Sequence, residues 1–281
     1  MFDLPPPPPA PQIESQLQLF IAGDSTAAPT DSLASQGWGL PFSDFFDSNK
    51  ITIHNRALGG RSSRTFITEG HFDKLAAELR AGDLVLIQFG HNDTFAVNDA
   101  EAQVARGSLP GTGGEVVLID NVLTNAPEVV RSYGSYLCQM IDGVRERGAL
   151  PIVFSTTPLN LWDDQDRLIT NSPYWDWARQ VATEQGVPFV DVGASLANDY
   201  RARGRDSVRA FFASPDSPYD TVHTSLAGAA NVATHALLGL LDLCNATGEN
   251  AKAVPELSQY LSEQGHTAVS QIMPKVSAQS Q

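Results

Sequence analysis

Apolar residues along this chain gather into short runs that end in glycine, and the stretches between them take up helical spacing. LQLFIAG (17–23) closes on Gly23, and ITIHNRAL (51–58) stops at the pair Gly59-Gly60. LVLIQFG (84–90) is apolar almost without a break, as a parallel strand covered on both faces must be. PIVFST (151–156) and FVDVG (189–193) supply a fourth and a fifth strand. Over 71–80, Phe72, Leu75, Ala76 and Leu79 share one face of a helix. A long helix is predicted over 127–147, with Pro127 in the first turn, where its missing N–H is no loss, and Gly148 as the stop. Further helices are predicted over about 173–185 and over 225–244. Strands alternating with helices predict a three-layer α/β/α, flavodoxin-like architecture on a five-stranded parallel sheet.

Two stretches break this rhythm. Residues 1–15 carry Pro5 to Pro9 and Pro11, which leave few backbone donors and predict an extended tail. Segment 94–126 is long and rich in glycine and polar residues, the pattern of a functional loop rather than an idle one. The expected organisation is a proline-rich tail over 1–15, one catalytic domain over 16–265 and a C-terminal tail over 266–281.

Composition narrows the partners. The 281 residues include 18 basic and 32 acidic ones, a net charge of −14. Phosphate backbones and anionic lipid surfaces need clustered Lys and Arg, so neither nucleic acid nor a membrane is an expected partner, and a monomer is expected. No apolar run reaches the roughly 18 residues of a membrane span. The N-terminus has neither the basic start nor the apolar core of a signal peptide. Cys138 and Cys244 both fall in apolar, helix-like stretches; buried thiols and a single bridge are both open.

In sheets of this kind ligands bind beyond the carboxyl ends of the strands. Asp24-Ser25-Thr26 follows the first strand, Gly60-Arg61-Ser62 the second and His91-Asn92-Asp93 the third; Asp220-Thr221-Val222-His223 precedes the last helix. Together they hold the parts of an acyl-transfer site. A serine hydroxyl needs a base, which His223 supplies; the base needs a carboxylate to fix its tautomer, which Asp220 supplies three residues upstream. Donors for the oxyanion are the Ser25 N–H, the Gly60 N–H and the Asn92 side-chain amide.

AGDST, GRSSRTF, QFGHND and the D-x-x-H-T-S run stand in order and in register here. They resemble the blocks of the SGNH (GDSL-like) hydrolase superfamily, and within it the rhamnogalacturonan acetylesterase family, over about residues 17–245. The resemblance implies Ser25 as nucleophile, His223 as base then acid, Asp220 as its orienting partner, and Ser25, Gly60 and Asn92 as the oxyanion hole. It also implies an acetylated polysaccharide or oligosaccharide as substrate, no cofactor, no metal, and a secreted or periplasmic setting. Rival readings are an SGNH esterase on acetylated xylan, peptidoglycan or a short-chain lipid ester, and a catalytically silent carbohydrate-binding protein.

Other residues divide more evenly between chemistry and packing. Arg61 and Trp162 are candidate substrate contacts, Arg64 a candidate partner for a structural carboxylate, and Trp38 a core residue. GASLA (193–197) lacks the second glycine of a nucleophile elbow, so Ser195 is expected to cap a helix and His235 to pack within one.

Overall fold

Apolar side chains on both sides of a strand require cover on both sides, and the chain supplies it. A computed structural model describes residues 16–31, 35–170, 172–212, 220–245 and 254–277. In chain order it forms β1 (Leu17–Gly23), β2 (Ile51–Asn55), β3 (Leu84–Gln88), a hairpin of β4 (Val116–Asn121) and β5 (Ala126–Arg131), then β6 (Leu150–Phe154) and β7 (Phe189–Val190). The main sheet is parallel, in the order β2-β1-β3-β6-β7.

The helices are α1 (Gly39–Ser43), α2 (Ser63–Thr68), α3 (His71–Glu78), α4 (Tyr133–Glu146), α5 (Pro173–Glu184), α6 (Val192–Arg203), α7 (Arg205–Phe212), α8 (Leu226–Asn245) and α9 (Glu263–Ser277). Alternation along β1 splits the core in two. Leu19 and Ile21 join Trp38, Phe42, Leu196, Tyr200, Val232 and Leu237 beneath α1, α6 and α8. Phe20 and Ala22 join Phe66, Phe72, Leu137, Met140 and Val181 beneath α2 to α5. All five residues of β3 are buried, which explains its unbroken apolar run. The fold class is the one expected. α8 is long and apolar enough to cross a membrane by length and composition; here Val232, Ala233, Ala236, Leu237 and Leu240 bury that apolar surface against the sheet.

Several expected boundaries move. The helix predicted from Pro127 begins at Tyr133, capped by Ser132, whose hydroxyl accepts the Ser135 N–H at 3.1 Å. Pro127 instead lies in β5 opposite Asp120, on a two-stranded ribbon where a missing donor is tolerated. The supposed loop 94–126 contains β4. Its alternation is masked because Val116, Val117 and Leu118 of β4 and Val129 of β5 are all exposed. The fifth strand stops at Val190 because Asp191 caps α6 through the Ala194 N–H. Ser195 therefore sits inside α6 rather than at its cap. Trp38 is fully buried, as expected. α9 runs through the expected boundary at residue 265, and the strand-like Phe46–Leu261 bridge ties the segment before it to the domain. The proline-rich stretch 1–15 lies outside the described residues.

Candidate active site

Parallel strands all point their carboxyl ends the same way, and the motif residues collect along that edge. At the end of β1, Gly23 is packed closely: a Cβ there would stand 3.2 Å from both Ala27 Cβ and the Gln88 carbonyl. The turn that follows presents Ser25. Its Oγ lies 2.9 Å from His223 Nε2, and His223 Nδ1 lies 2.7 Å from Asp220 Oδ2. The other Asp220 oxygen accepts the Val222 and His223 amides at 2.8 and 2.9 Å. Burial raises the Asp220 pKa, but these amide bonds and the imidazole outweigh it and hold the carboxyl below its usual range. The residue stays ionised where the relay needs it.

The residues expected to hold the oxyanion lie on two loops latched together. Gly60 has φ +76°, a left-handed conformation that favours glycine, and a Cβ on Gly59 would stand 3.8 Å from Ser25 Cβ. Asn92 is buried in a short 3₁₀ turn after β3 and donates one Nδ2 proton to the Arg61 carbonyl at 3.2 Å. That bond orients the amide and leaves its second proton available. Next to it, Asp93 accepts the Ser63 N–H at 3.1 Å and the Ser63 hydroxyl at 2.5 Å. Burial, opposed by those bonds, pushes the Asp93 carboxyl up to about 6.

A second imidazole–carboxylate pair lies beside Ser25. His91 Nδ1 stands 3.3 Å from Asp24 Oδ2, and its Nε2 stands 3.1 Å from the Thr157 carbonyl. Burial opposes charge on both groups, and their mutual attraction wins: His91 is raised and Asp24 lowered. Asp24 also accepts the Thr26 N–H and hydroxyl at 2.9 and 2.8 Å, which shapes the turn carrying Ser25. Both residues stood in motif blocks, but a partner 67 positions away leaves no local pattern.

The remaining candidates scatter. Arg61 Nε is 2.9 Å from Glu69 at the surface. Arg64 is fully buried and grips Glu128 with two bonds of 2.7 and 2.8 Å, so the expected structural carboxylate is on β5. Trp162 donates to Asn160 and lines a depression with Asp163, Arg201 and Arg203. A different cleft, of about 390 Å³, adjoins the relay and is lined by His91, Phe95, Leu159, Ile169, Trp175 and Val222, among others. Ser195 and His235 do meet, at 2.7 Å, with Asp199 3.8 Å from the imidazole. Asp199 is committed to Arg203 and Asn231 at 2.7 and 3.0 Å, so this trio braces α6 against α8 and does not reproduce the relay at Ser25. Cys138 and Cys244 are free thiols. Among the described residues, no group of three or more His, Cys, Asp and Glu side chains is arranged to hold a metal ion.

The model of the GDSL-like lipase/acylhydrolase family matches residues 21–230. A rhamnogalacturonan acetylesterase of Emericella nidulans is 34% identical over 216 residues, 76% of this chain and 81% of that protein. The rhamnogalacturonan acetylesterase RhgT of Bacillus subtilis is 29% identical over 243 residues, 82% of this chain and 92% of that protein. Among solved structures, Bacillus subtilis YxiM superposes with a TM-score of 0.63 at 20% identity, covering 83% of this chain and 58% of that one. A variant of the acetyl-xylooligosaccharide esterase Axe2 from a Geobacillus gives a TM-score of 0.51 at 18% identity, covering 79% and 93%.

Proposed function

This chain belongs to the GDSL-like lipase/acylhydrolase family, and from that premise we propose that it is a serine esterase that removes O-acetyl groups from rhamnogalacturonan, a plant cell-wall polysaccharide. The observation that carries the reading is the continuous relay from Ser25 Oγ through His223 to Asp220, at 2.9 and 2.7 Å. A protein that only bound sugar would have no use for a hydroxyl, an imidazole and a carboxylate in line.

In the first half-reaction His223 Nε2 takes the Ser25 proton as Oγ attacks the acetyl carbonyl. The tetrahedral oxyanion is met by the Ser25 and Gly60 N–H groups and the second Asn92 amide proton. His223 then gives its proton to the departing sugar oxygen, leaving acetyl on Ser25. Water, deprotonated by His223, attacks that ester; the Oγ–acyl bond breaks, His223 returns the proton to Ser25 Oγ, and acetate leaves. Asp220 holds the imidazole in the tautomer that leaves Nε2 free to accept, and stabilises the imidazolium between steps. A cell-wall polymer as substrate puts the reaction outside the cytoplasm.

The choice of polymer rests on the sequence likeness to the named acetylesterases; the structural likeness to Axe2 bears on the fold alone. Acetate release from acetylated rhamnogalacturonan, xylan and p-nitrophenyl acetate tests both levels. Rhamnogalacturonan is expected to be turned over best, and Ser25→Ala to abolish turnover of all three with the circular dichroism unchanged. Turnover retained in Ser25→Ala would remove Ser25 as the nucleophile; xylan preferred over rhamnogalacturonan would remove the polymer assignment.

A further inference from the structure

Three arginines surround the oxyanion loops, and two are neutralised: Arg61 by Glu69 at 2.9 Å and Arg64 by Glu128 at 2.7 Å. Arg106 is different. Among the described residues no carboxylate pairs with it, and its buried Nε has no hydrogen-bond partner. Burial lowers its pKa with no neighbouring charge to offset it, yet a guanidinium remains charged at any working pH. An unpaired, partly desolvated cation costs free energy, so a counter-ion would be welcome there.

Its position is set from several directions. The guanidinium carbon lies 3.6 Å from the centroid of the Phe95 ring, and Phe95 lines the cleft beside the relay. A Cβ on Gly60 would stand 3.4 Å from Arg106 Nη1, which puts the cation next to an oxyanion donor. The backbone is fixed as well. The Arg106 and Gly107 amides both donate to the Ala96 carbonyl, at 3.3 and 3.0 Å. The Gly107 carbonyl in turn accepts Arg64 Nη1 at 2.8 Å. The cation is therefore preorganised, half-buried and stacked on one face, between Phe95 of the cleft and Gly60.

We propose that Arg106 is a specificity-determining residue that binds a uronate carboxylate of the polymer and so sets the preference for it over a neutral acetylated polysaccharide. The inference rests on the esterase reading above and adds a specificity-determining residue to it. Guanidinium and carboxylate match in geometry and charge, and an aromatic ring beneath the cation supports it without neutralising it.

The test compares wild type, Arg106→Gln and Arg106→Lys on acetylated polygalacturonate and acetylated xylan, reading the ratio of kcat/KM between the two polymers. Arg106→Gln is expected to lower that ratio by about 10-fold or more, chiefly through KM on the uronate polymer, with Arg106→Lys intermediate. Methyl esterification of the polymer's carboxylates should lower the wild-type kcat/KM and leave that of Arg106→Gln where it was. A ratio that does not move, or both polymers falling by the same factor, overturns the proposal. Affinity for a galacturonate oligomer, measured calorimetrically in the Ser25→Ala background with and without Arg106→Gln, separates this from the esterase reading. Equal affinities defeat the role of Arg106, whereas absence of acetate release by the wild type defeats the esterase reading alone.

Discussion

Asp220 divides its two oxygens between different tasks, one holding the loop through the Val222 and His223 amides and the other holding the imidazole. Asp220→Asn separates them. The amide oxygen can keep the backbone bonds, while the NH₂ group donates to Nδ1 and drives the ring proton onto Nε2, the atom that must accept from Ser25. We expect kcat for p-nitrophenyl acetate to fall by about 10⁴-fold while thermal unfolding changes little; a loss below tenfold would mean that Asp220 does not set the tautomer. This pair was legible in the sequence because its members lie three residues apart in one loop. The Asp24–His91 and Ser63–Asp93 contacts were not, because each joins two strand-end loops that only the sheet brings together.

The hairpin β4–β5 is fastened to the domain by a buried side chain of α2. Arg64 on α2 reaches Glu128 on β5 and also donates to the Val97 and Gly107 carbonyls at 2.8 Å each, so one buried side chain fastens the helix, the hairpin and the loop that carries Arg106. Burial alone would raise the Glu128 pKa; Arg64 and Asn121 reverse this and lower it. Glu128→Gln leaves the guanidinium buried without a counter-charge, at a cost of about 3–5 kcal/mol, to be read by denaturant unfolding at neutral pH. Because the folded-state pKa lies below the unfolded one, the stabilisation by Glu128 is present above the ordinary carboxylate range. It is lost as pH falls through the folded value, so wild type and variant should converge in acid. A difference that is small at pH 7, or that grows in acid, would contradict this. The hairpin escaped sequence reading for a physical reason: a two-stranded ribbon with valines and a leucine facing solvent has no buried face to impose a period of two. By contrast, strands β1 and β3 were evident because the core lies on both of their faces.

Over the whole chain the excess of 32 acidic over 18 basic residues sets a background of self-repulsion. Exposed ion pairs such as Arg56–Glu78 contribute little against it. Raising the salt concentration from about 10 mM to about 300 mM at neutral pH shortens the screening length several-fold and should raise Tm; a Tm that falls would mean that the ion pairs outweigh the net charge. The doubly covered sheet was readable from hydrophobic periodicity, whereas the distribution of charge around it was not. Both arginines singled out in the sequence are paired, whereas Arg106, which carries no motif signal, has no carboxylate partner among the described residues.

Ser25 and His223 stand 198 positions apart. The loops that carry them are joined by a reciprocal pair of bonds, Gln36 N–H to the Thr224 carbonyl at 2.8 Å and the Thr224 hydroxyl to the Gln36 carbonyl at 2.9 Å. A chain still emerging from the ribosome thus holds Ser25, Gly60 and Asn92, the proposed nucleophile and oxyanion donors, long before it holds His223, the proposed base. On the proposed mechanism turnover waits until the segment leading into α8 has docked, which is among the most non-local closures in the fold and therefore among the costliest in entropy. If Ser25 and His223 act as proposed, the first turnover in a refolding experiment would time that docking event.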